Sequence, residues 1–402
     1  MVELSLKEKH IVLWGGWYGS RNVGDQVLLL TITDILASEL GNVRFSIFTD
    51  NPDNVRSYTS RDSSLRFEAI HTRREFPSVV KALATCDLFI FGGGVPFYEE
   101  IDHLIAMGIL VGLARLCGKP YMTWTVSSQI VTKPTVKRFM GWVLNGAKAI
   151  TYRDEYSHEL FVSCGVKQPM YQAGDSGFRL EPALHEVARE LIDRAGEWDH
   201  SRPLVGLTPR TLRGRDGDAE THYKAKTDQE FSREIDCFVA ALDYLWEQGY
   251  QPILVPMNTV APDDDRIACR RIMQEARHGS NAMLVDEEVR PRVAPAVYRE
   301  CRASFVARVH GSITSMVGNC PVMMYAFAPK YSGIMKAMGL SEYVLEEDYA
   351  TPEAAVEKLS TLLKNQEEVR MHMSARLIEL RQEALLPARL AAQILGISPA
   401  AD

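Results

Sequence analysis

Apolar residues along this chain follow two spacings that alternate. Short runs, hydrophobic at nearly every position and rich in β-branched and aromatic residues, are separated by longer stretches with apolar residues three or four apart. The first spacing predicts strands, the second amphipathic helices. Strands are expected at 10–14, 43–48, 66–71, 87–92, 121–126 and 149–153 in the first half. In the second half they are expected at 204–210, 252–257, 282–287, 303–309 and 322–327. Helical stretches fill most of the gaps, for example the one carrying Val27, Leu28, Ile32, Ile35 and Leu36. The strand runs are almost continuously apolar, the signature of parallel strands covered on both faces.

Between the two series lies "EVARELIDRAGEWDHSRP", polar and closed by a proline, which places a linker near 185–202. The expected fold class is therefore α/β: two Rossmann-like domains, 1–185 and 200–345, facing each other across a cleft. The segment 350–402 is helical in period and charge pairing and is expected to pack back over the junction. A length of 402 residues agrees, being too great for one core.

Composition narrows the classes. With 46% hydrophobic and 24% charged residues the chain reads as a soluble globular protein. Its polar start, "MVELSLKEKH", does not fit a signal peptide, and "LIAMGILVGLA" is too short to span a bilayer. A cytoplasmic protein is the expectation. Seven cysteines without paired spacing predict reduced thiols, with neither a disulfide framework nor a metal site. A net charge of -7 with no dominant basic face argues against nucleic-acid binding.

Ligands of open α/β sheets bind beyond the carboxyl ends of strands. The loop "GSRNVGDQ" follows the first strand, and its glycines, Gly19 and Gly24, have the spacing of a phosphate loop. Asp25 and Gln26 stand where that loop would have its lysine and hydroxyl, and an aspartate repels phosphate. Two readings stay open. Gly19 and Gly24 form a tight turn and Asp25 caps the helix. Alternatively, Asn22 and Asp25 bind neutral hydroxyls, with Trp17 and Tyr18 as flat apolar plates, an acceptor site for a sugar or polyol. Gly92, Gly93 and Gly94 end the fourth strand, serving close packing or the approach of a ligand. Glu99, Glu100 and Asp102 follow them.

The densest chemistry lies in "ARVHGSITSMVGNCPVMMYAFAPKYSG", residues 307–333. One strand delivers Arg308 and His310, a helix opens at Gly311 and Ser312, and a second strand leads to Lys330. A strand end meeting a helix start is a ready anion site, and a histidine there titrates near neutral pH. Arg153 and Arg210 end strands in the same way, so cations from both halves are expected to converge on one cleft. The polar insert 211–228 reads either as a solvated loop or as a lid carrying Arg213, Arg215 and Lys226.

Taken in order, "GWYGSRNVGD", "FGGGV", "YRDEYSHELFVSCGV", "RVHGSI" and "YAFAPKYSGIMKAMGL" resemble the motifs of the polysaccharide pyruvyl transferases, from about residue 10 to 340. The resemblance implies a GT-B-like pair of domains, phosphoenolpyruvate as donor, and a pyruvate ketal on two sugar hydroxyls as product. It also implies that Arg153, His310 and Lys330 grip or activate the donor, with Arg308 beside them. Departures fall in the half expected to hold the acceptor. "WTVSSQI" replaces a Gln-Gly-x-Gly-Pro segment, "AGDSGF" replaces an Asp-x-Ala-Phe-like one, and Gln26 replaces an acid.

A donor with a phosphate and a carboxylate on three carbons needs several cations. Those expected to bind it are Arg153, Arg308, Lys330 and Arg210, with the Gly311 and Ser312 amides, while His310 moves protons as the catalytic group. Acceptor contacts are expected from Trp17, Tyr18, Asn22, Asp25, Gly93 and Gly94. No metal or resident cofactor is expected. The acceptor is a saccharide or glycoconjugate; if it is lipid-linked, the protein would sit at the membrane periphery, and a homo-oligomer stays open. The alternative is a nucleotide-sugar glycosyltransferase of the same plan, with Asp286, Glu287 and Glu288 as ribose contacts. A non-catalytic binding protein is the third class, against which the intact Arg308, His310 and Lys330 stand.

Overall fold

The structure, a computed structural model, describes residues 8–211, 228–261 and 263–397. The chain divides into two compact units, one of Met1–Ser20, Asp25–Arg179 and Arg381–Asp402, the other of Arg21–Gly24 and Leu180–Leu380.

The first unit is built on strands β1 (Lys9–Trp14), β2 (Val43–Thr49), β3 (Arg66–His71), β4 (Leu88–Gly92) and β5 (Tyr121–Trp124), all parallel, in the order β3-β2-β1-β4-β5. Strand periodicity decides which side chain goes to which face. Val12, Trp14, Phe89 and Phe91 point into one core, with Val79, Leu83, Met107 and Met140 from the helices Phe76–Thr85, Ile101–Leu116 and Pro134–Leu144. Ile11, Leu13, Leu88 and Ile90 point into the other, against the helix Val23–Leu40. That helix is buried around most of its surface, as a core helix should be. The helix Leu386–Ile394 closes the same core with Ala388, Leu390 and Ala391.

Strands β6 (Ile150–Tyr152) and β7 (Met170–Gln172) form a short parallel pair beside β5. Thr125 takes φ +38°, which breaks the β5 ladder after Trp124. Threonines then replace the missing ladder bonds: Thr125 N donates to Thr151 Oγ1 at 2.8 Å, and Thr151 N donates to Thr123 Oγ1 at 2.9 Å.

In the second unit β8 (Leu204–Thr208), β9 (Gln251–Leu254), β10 (Met283–Leu284), β11 (Cys301–Val306), β12 (Val322–Ala326) and β13 (Val344–Glu346) make one parallel sheet. Its order is β10-β9-β8-β11-β12-β13. Both sheets therefore reverse direction of winding beside their first strand, between β1 and β4 and between β8 and β11. Those switch points are where such folds bind ligands. The expected strands are present, several of them shorter. Sequence periodicity did not indicate β7 and β13, three residues each. All seven cysteines are free thiols, five of them buried. No helix among the described residues is long and apolar enough to cross a membrane.

Candidate functional site

At the switch point of the first unit, Gly92, Gly93 and Gly94 all have positive φ. A Cβ on Gly93 would lie 2.4 Å from Ile32 Cδ1 and 2.9 Å from the Tyr18 hydroxyl, so the chain turns hard against the core helix there. Tyr18 is buried and donates its hydroxyl to Gly92 O at 2.7 Å, and burial followed by the Asp25 charge raises its pKa. Trp17 is the exposed plate, 58% accessible, with φ +54° and its ring 6.2 Å from Tyr98. A non-glycine residue held at positive φ beside a switch point is a feature of functional loops. Asp25 lies in the first helical turn, where a carboxylate suits the positive end of the dipole, and accepts from Ser20 Oγ at 2.8 Å. Gly94 O accepts from Ser127 N at 2.9 Å.

Arg153 ends β6 and is nearly buried. Its Nη1 donates to Asp175 Oδ2 at 2.7 Å and its Nε to Ser127 Oγ at 2.6 Å. Ser127 in turn bonds Asp154, whose other oxygen caps the helix Glu155–Ser163 through Ser157 N at 2.9 Å. The guanidinium is thus held by a buried carboxylate of its own unit.

The second unit assembles a denser cluster. Strands β8, β11 and β12 are neighbours in the sheet, and their carboxyl ends deliver Arg210, then Arg308 and His310, then Lys330. Adjacent strands lie about 4.8 Å apart, so these ends share a small area. Arg308 is buried and grips Asp265 through Nε at 3.0 Å and Nη2 at 2.5 Å. Asp265, fully buried at the start of the helix Asp265–Glu275, also accepts from the amides of Thr211, Met257 and Asn258 at 3.0 to 3.2 Å. Burial raises the Asp265 pKa, and the Arg308 charge and these donors oppose it. With five donor contacts converging on two oxygens, the ion pair is the state we take at neutral pH. Arg308 is therefore a strut between β11 and the loop after β9.

Arg210, also buried, donates its amide to Glu234 Oε1 at 2.8 Å and its Nη1 to the Tyr331 hydroxyl. Its guanidinium lies 4.6 Å from the Phe327 ring centroid, and Lys330 Nζ lies 5.5 Å from that of Tyr331. Charge and aromatic faces thus alternate along one edge.

His310 is the second residue of the helix Val309–Val317, at its positive end. Gly311 follows it on the first turn. Ser312 N donates to Arg308 O at 3.1 Å and Ser312 Oγ to Val309 O at 2.7 Å. Both Ser312 donors are therefore committed to the helix, and an anion at this terminus would meet the amides of Gly311 and the residues before it. The short segment Arg21–Gly24, which packs with this unit, lies against the histidine. Val23 N donates to Met257 O at 2.8 Å, and Asn22 bridges to Asn258 while accepting from Gly24 N at 2.9 Å. A Cβ on Gly24 would lie 2.3 Å from His310 Nδ1. Gly24 is thus the floor on which the imidazole rests.

The structure brings together Arg210, Arg308, His310, Gly311 and Lys330, and places Arg153 with Asp175 in the first unit. Asp265, Glu234 and Tyr331 escaped the sequence reading. The acid run "PDDDR" just past the 252–257 strand was the signal for the first; the other two had none. The lid residues Arg213, Arg215 and Lys226 lie outside the described residues. Asp286, Glu287 and Glu288, the ribose candidates, are engaged by Arg270 at 2.5 Å, Arg194 at 2.9 Å and Arg21 at 3.7 Å.

Comparison with known proteins follows the same lines. A family profile described as polysaccharide pyruvyl transferase matches residues 22–328. The amylovoran biosynthesis protein AmsJ of Erwinia amylovora is 22% identical, over 96% of this chain and 99% of its own. Among solved structures, a putative UDP-N-acetylglucosamine 2-epimerase from Listeria monocytogenes superposes with a TM-score of 0.59 at 11% identity, covering 98% of each chain. An O-GlcNAc transferase of Thermobaculum terrenum gives 0.52 at 14% identity, covering 97% of this chain and 69% of that one. These likenesses show the GT-B-like class of two Rossmann-like units.

Proposed function

The chain belongs to the polysaccharide pyruvyl transferase family, and from that premise we propose that it moves the pyruvyl group of phosphoenolpyruvate onto two hydroxyls of a saccharide acceptor, forming a ketal. The observation that carries the reading is the edge of β8, β11 and β12, where Arg210, Lys330, His310 and a helix amino terminus meet. A triply charged three-carbon donor suits such an edge. Lys330 and Arg210 supply charge, the amides up to Gly311 supply directed donors, and Arg308, neutralised by Asp265, keeps β11 in place.

The chemistry balances without a redox partner. The donor's methylene carbon takes one proton and becomes a methyl group, leaving the central carbon cationic. One acceptor hydroxyl attacks that carbon and loses its proton. Phosphate then leaves with the bond to carbon, and the second hydroxyl closes the ketal, its proton ending on phosphate. His310 is the group that gives and takes these protons, an imidazole being able to serve as both acid and base.

Thermal unfolding with phosphoenolpyruvate or with nucleoside diphosphates tests the reading, since a ligand of the native state raises the midpoint by mass action. Stabilisation by phosphoenolpyruvate is expected; stabilisation by the diphosphates alone would overturn the proposal. His310→Gln should keep that shift and lose acceptor-dependent phosphate release by about 10²-fold or more. Unchanged release would remove His310 from the role.

A further inference from the structure

The helix Ile101–Leu116 carries a second pattern, unrelated to the switch point. Ile101, Ile105, Ile109 and Leu116 recur at intervals of four, four and seven, which places them on one stripe. All four side chains are exposed, between 45 and 86%. Gly112 falls on the same stripe, and a Cβ there would meet nothing within 4 Å, so the stripe is uncovered along its length. The neighbouring helix Pro134–Leu144 extends the surface. Phe139 lies along Gly108, and Trp142 is 44% exposed with the Arg115 guanidinium 4.3 Å from its ring.

Charge marks the same region. From residue 103 to residue 150 the sequence has no aspartate or glutamate, and it has six lysines and arginines, in a chain of net charge -7. Arg115, Lys137 and Arg138 lie on the two helices, with Lys133 at the cap of the second. Acids flank this run, Glu99, Glu100 and Asp102 before it and Asp154 and Glu155 after it, and Glu99 already accepts the amides of Thr132 and Lys133 at 2.5 and 2.6 Å.

An apolar stripe framed by basic residues matches a lipid interface. Two copies of it would set like charge against like charge, which disfavours self-association. We propose that the exposed faces of Ile101–Leu116 and Pro134–Leu144 form a docking surface for a bilayer containing anionic lipid. The chain would then work at the membrane periphery, held by the first unit. This inference is independent of the donor chemistry, because partitioning is read without turnover.

The test is sedimentation of the full chain with vesicles of phosphatidylcholine alone or mixed with phosphatidylglycerol. Binding to the mixed vesicles, weakened by salt, is expected. Replacing Ile105, Ile109 and Leu116 together by serine should reduce partitioning by about tenfold or more, and Lys137→Glu with Arg138→Glu by about tenfold. Far-ultraviolet circular dichroism and the unfolding midpoint should stay unchanged in both. The proposal is overturned if the wild-type chain stays in the supernatant, or if the triple variant partitions as well as wild type. It is equally overturned if light scattering shows a dimer that the triple variant dissolves, which would give the face to a second copy.

Discussion

Replacing Gly24 by alanine asks one methyl group to share space with the imidazole of His310. The added carbon would sit 2.3 Å from Nδ1, 2.6 Å from Cγ and 2.9 Å from Cβ. Ordinary contacts between such atoms are about 3.5 to 4 Å, so something must give by roughly 1 Å. The near atoms include the base of the histidine side chain, which the helix Val309–Val317 holds in place. Either the ring rotates away, or the segment Arg21–Gly24 lifts and strains the 2.8 Å bond from Val23 N to Met257 O. Alanine is otherwise favoured over glycine in a helix by about 1 kcal/mol, and overpacking costs about 1–3 kcal/mol. The clash should therefore win, for a net loss of up to about 2 kcal/mol.

The functional cost should be larger than the cost in stability. A displacement of about 1 Å in a catalytic group costs roughly 10²-fold in rate. Urea denaturation and acceptor-dependent phosphate release measure the two effects on one preparation. Gly112→Ala is the control, because its Cβ enters open space, and it should gain up to about 1 kcal/mol from helix propensity. Wild-type turnover together with equal or greater stability in Gly24→Ala would refute the reasoning, because the histidine would then not depend on that glycine.

Asp265→Asn leaves the Arg308 charge buried without its counter-ion, and losing one partner of such a pair costs about 3–5 kcal/mol; a loss under about 1 kcal/mol in urea would show that the strut is not one. His10 provides a pH dependence elsewhere. Burial, then the Arg44 charge, lowers its pKa from the ordinary 6.5, so the unfolded chain takes up the proton first as pH falls. Its contribution to stability is complete above about pH 6.5 and is lost as pH falls through the lower folded value. Denaturation curves from pH 8 to 5 should fall more steeply for wild type than for His10→Gln, and parallel curves would remove the histidine from the account.

Strands with every position buried, such as β4, were legible because burial on both faces leaves a continuous apolar run. β7 was not, since its three residues are mostly exposed and its place comes from pairing with β6. The cations of the second unit were legible for a related reason, lying immediately past strand ends. Their counter-charges were not. Asp265 is 43 residues from Arg308 and Asp175 is 22 from Arg153, and nothing local records those partnerships. Thr125 shows the reverse case. "WTVSSQI" lacks the expected glycines, yet its backbone at Thr125 keeps a positive φ that glycine adopts more easily.

The loop with phosphate-loop spacing repays the same treatment. Gly19 belongs to a turn closed by Ser20 N donating to Trp17 O at 3.1 Å, and it counts with the first unit. Gly24 counts with the second and makes room for His310. Asp25 is engaged by Ser20 at the positive end of its helix. A phosphate loop needs both glycines to serve one anion, whereas these serve a turn and an imidazole. Their five-residue spacing therefore has two separate causes, and an anion-binding role for this loop does not follow from it. In the proposed reaction the loop acts through Gly24, by where it lets the proton-transfer group stand.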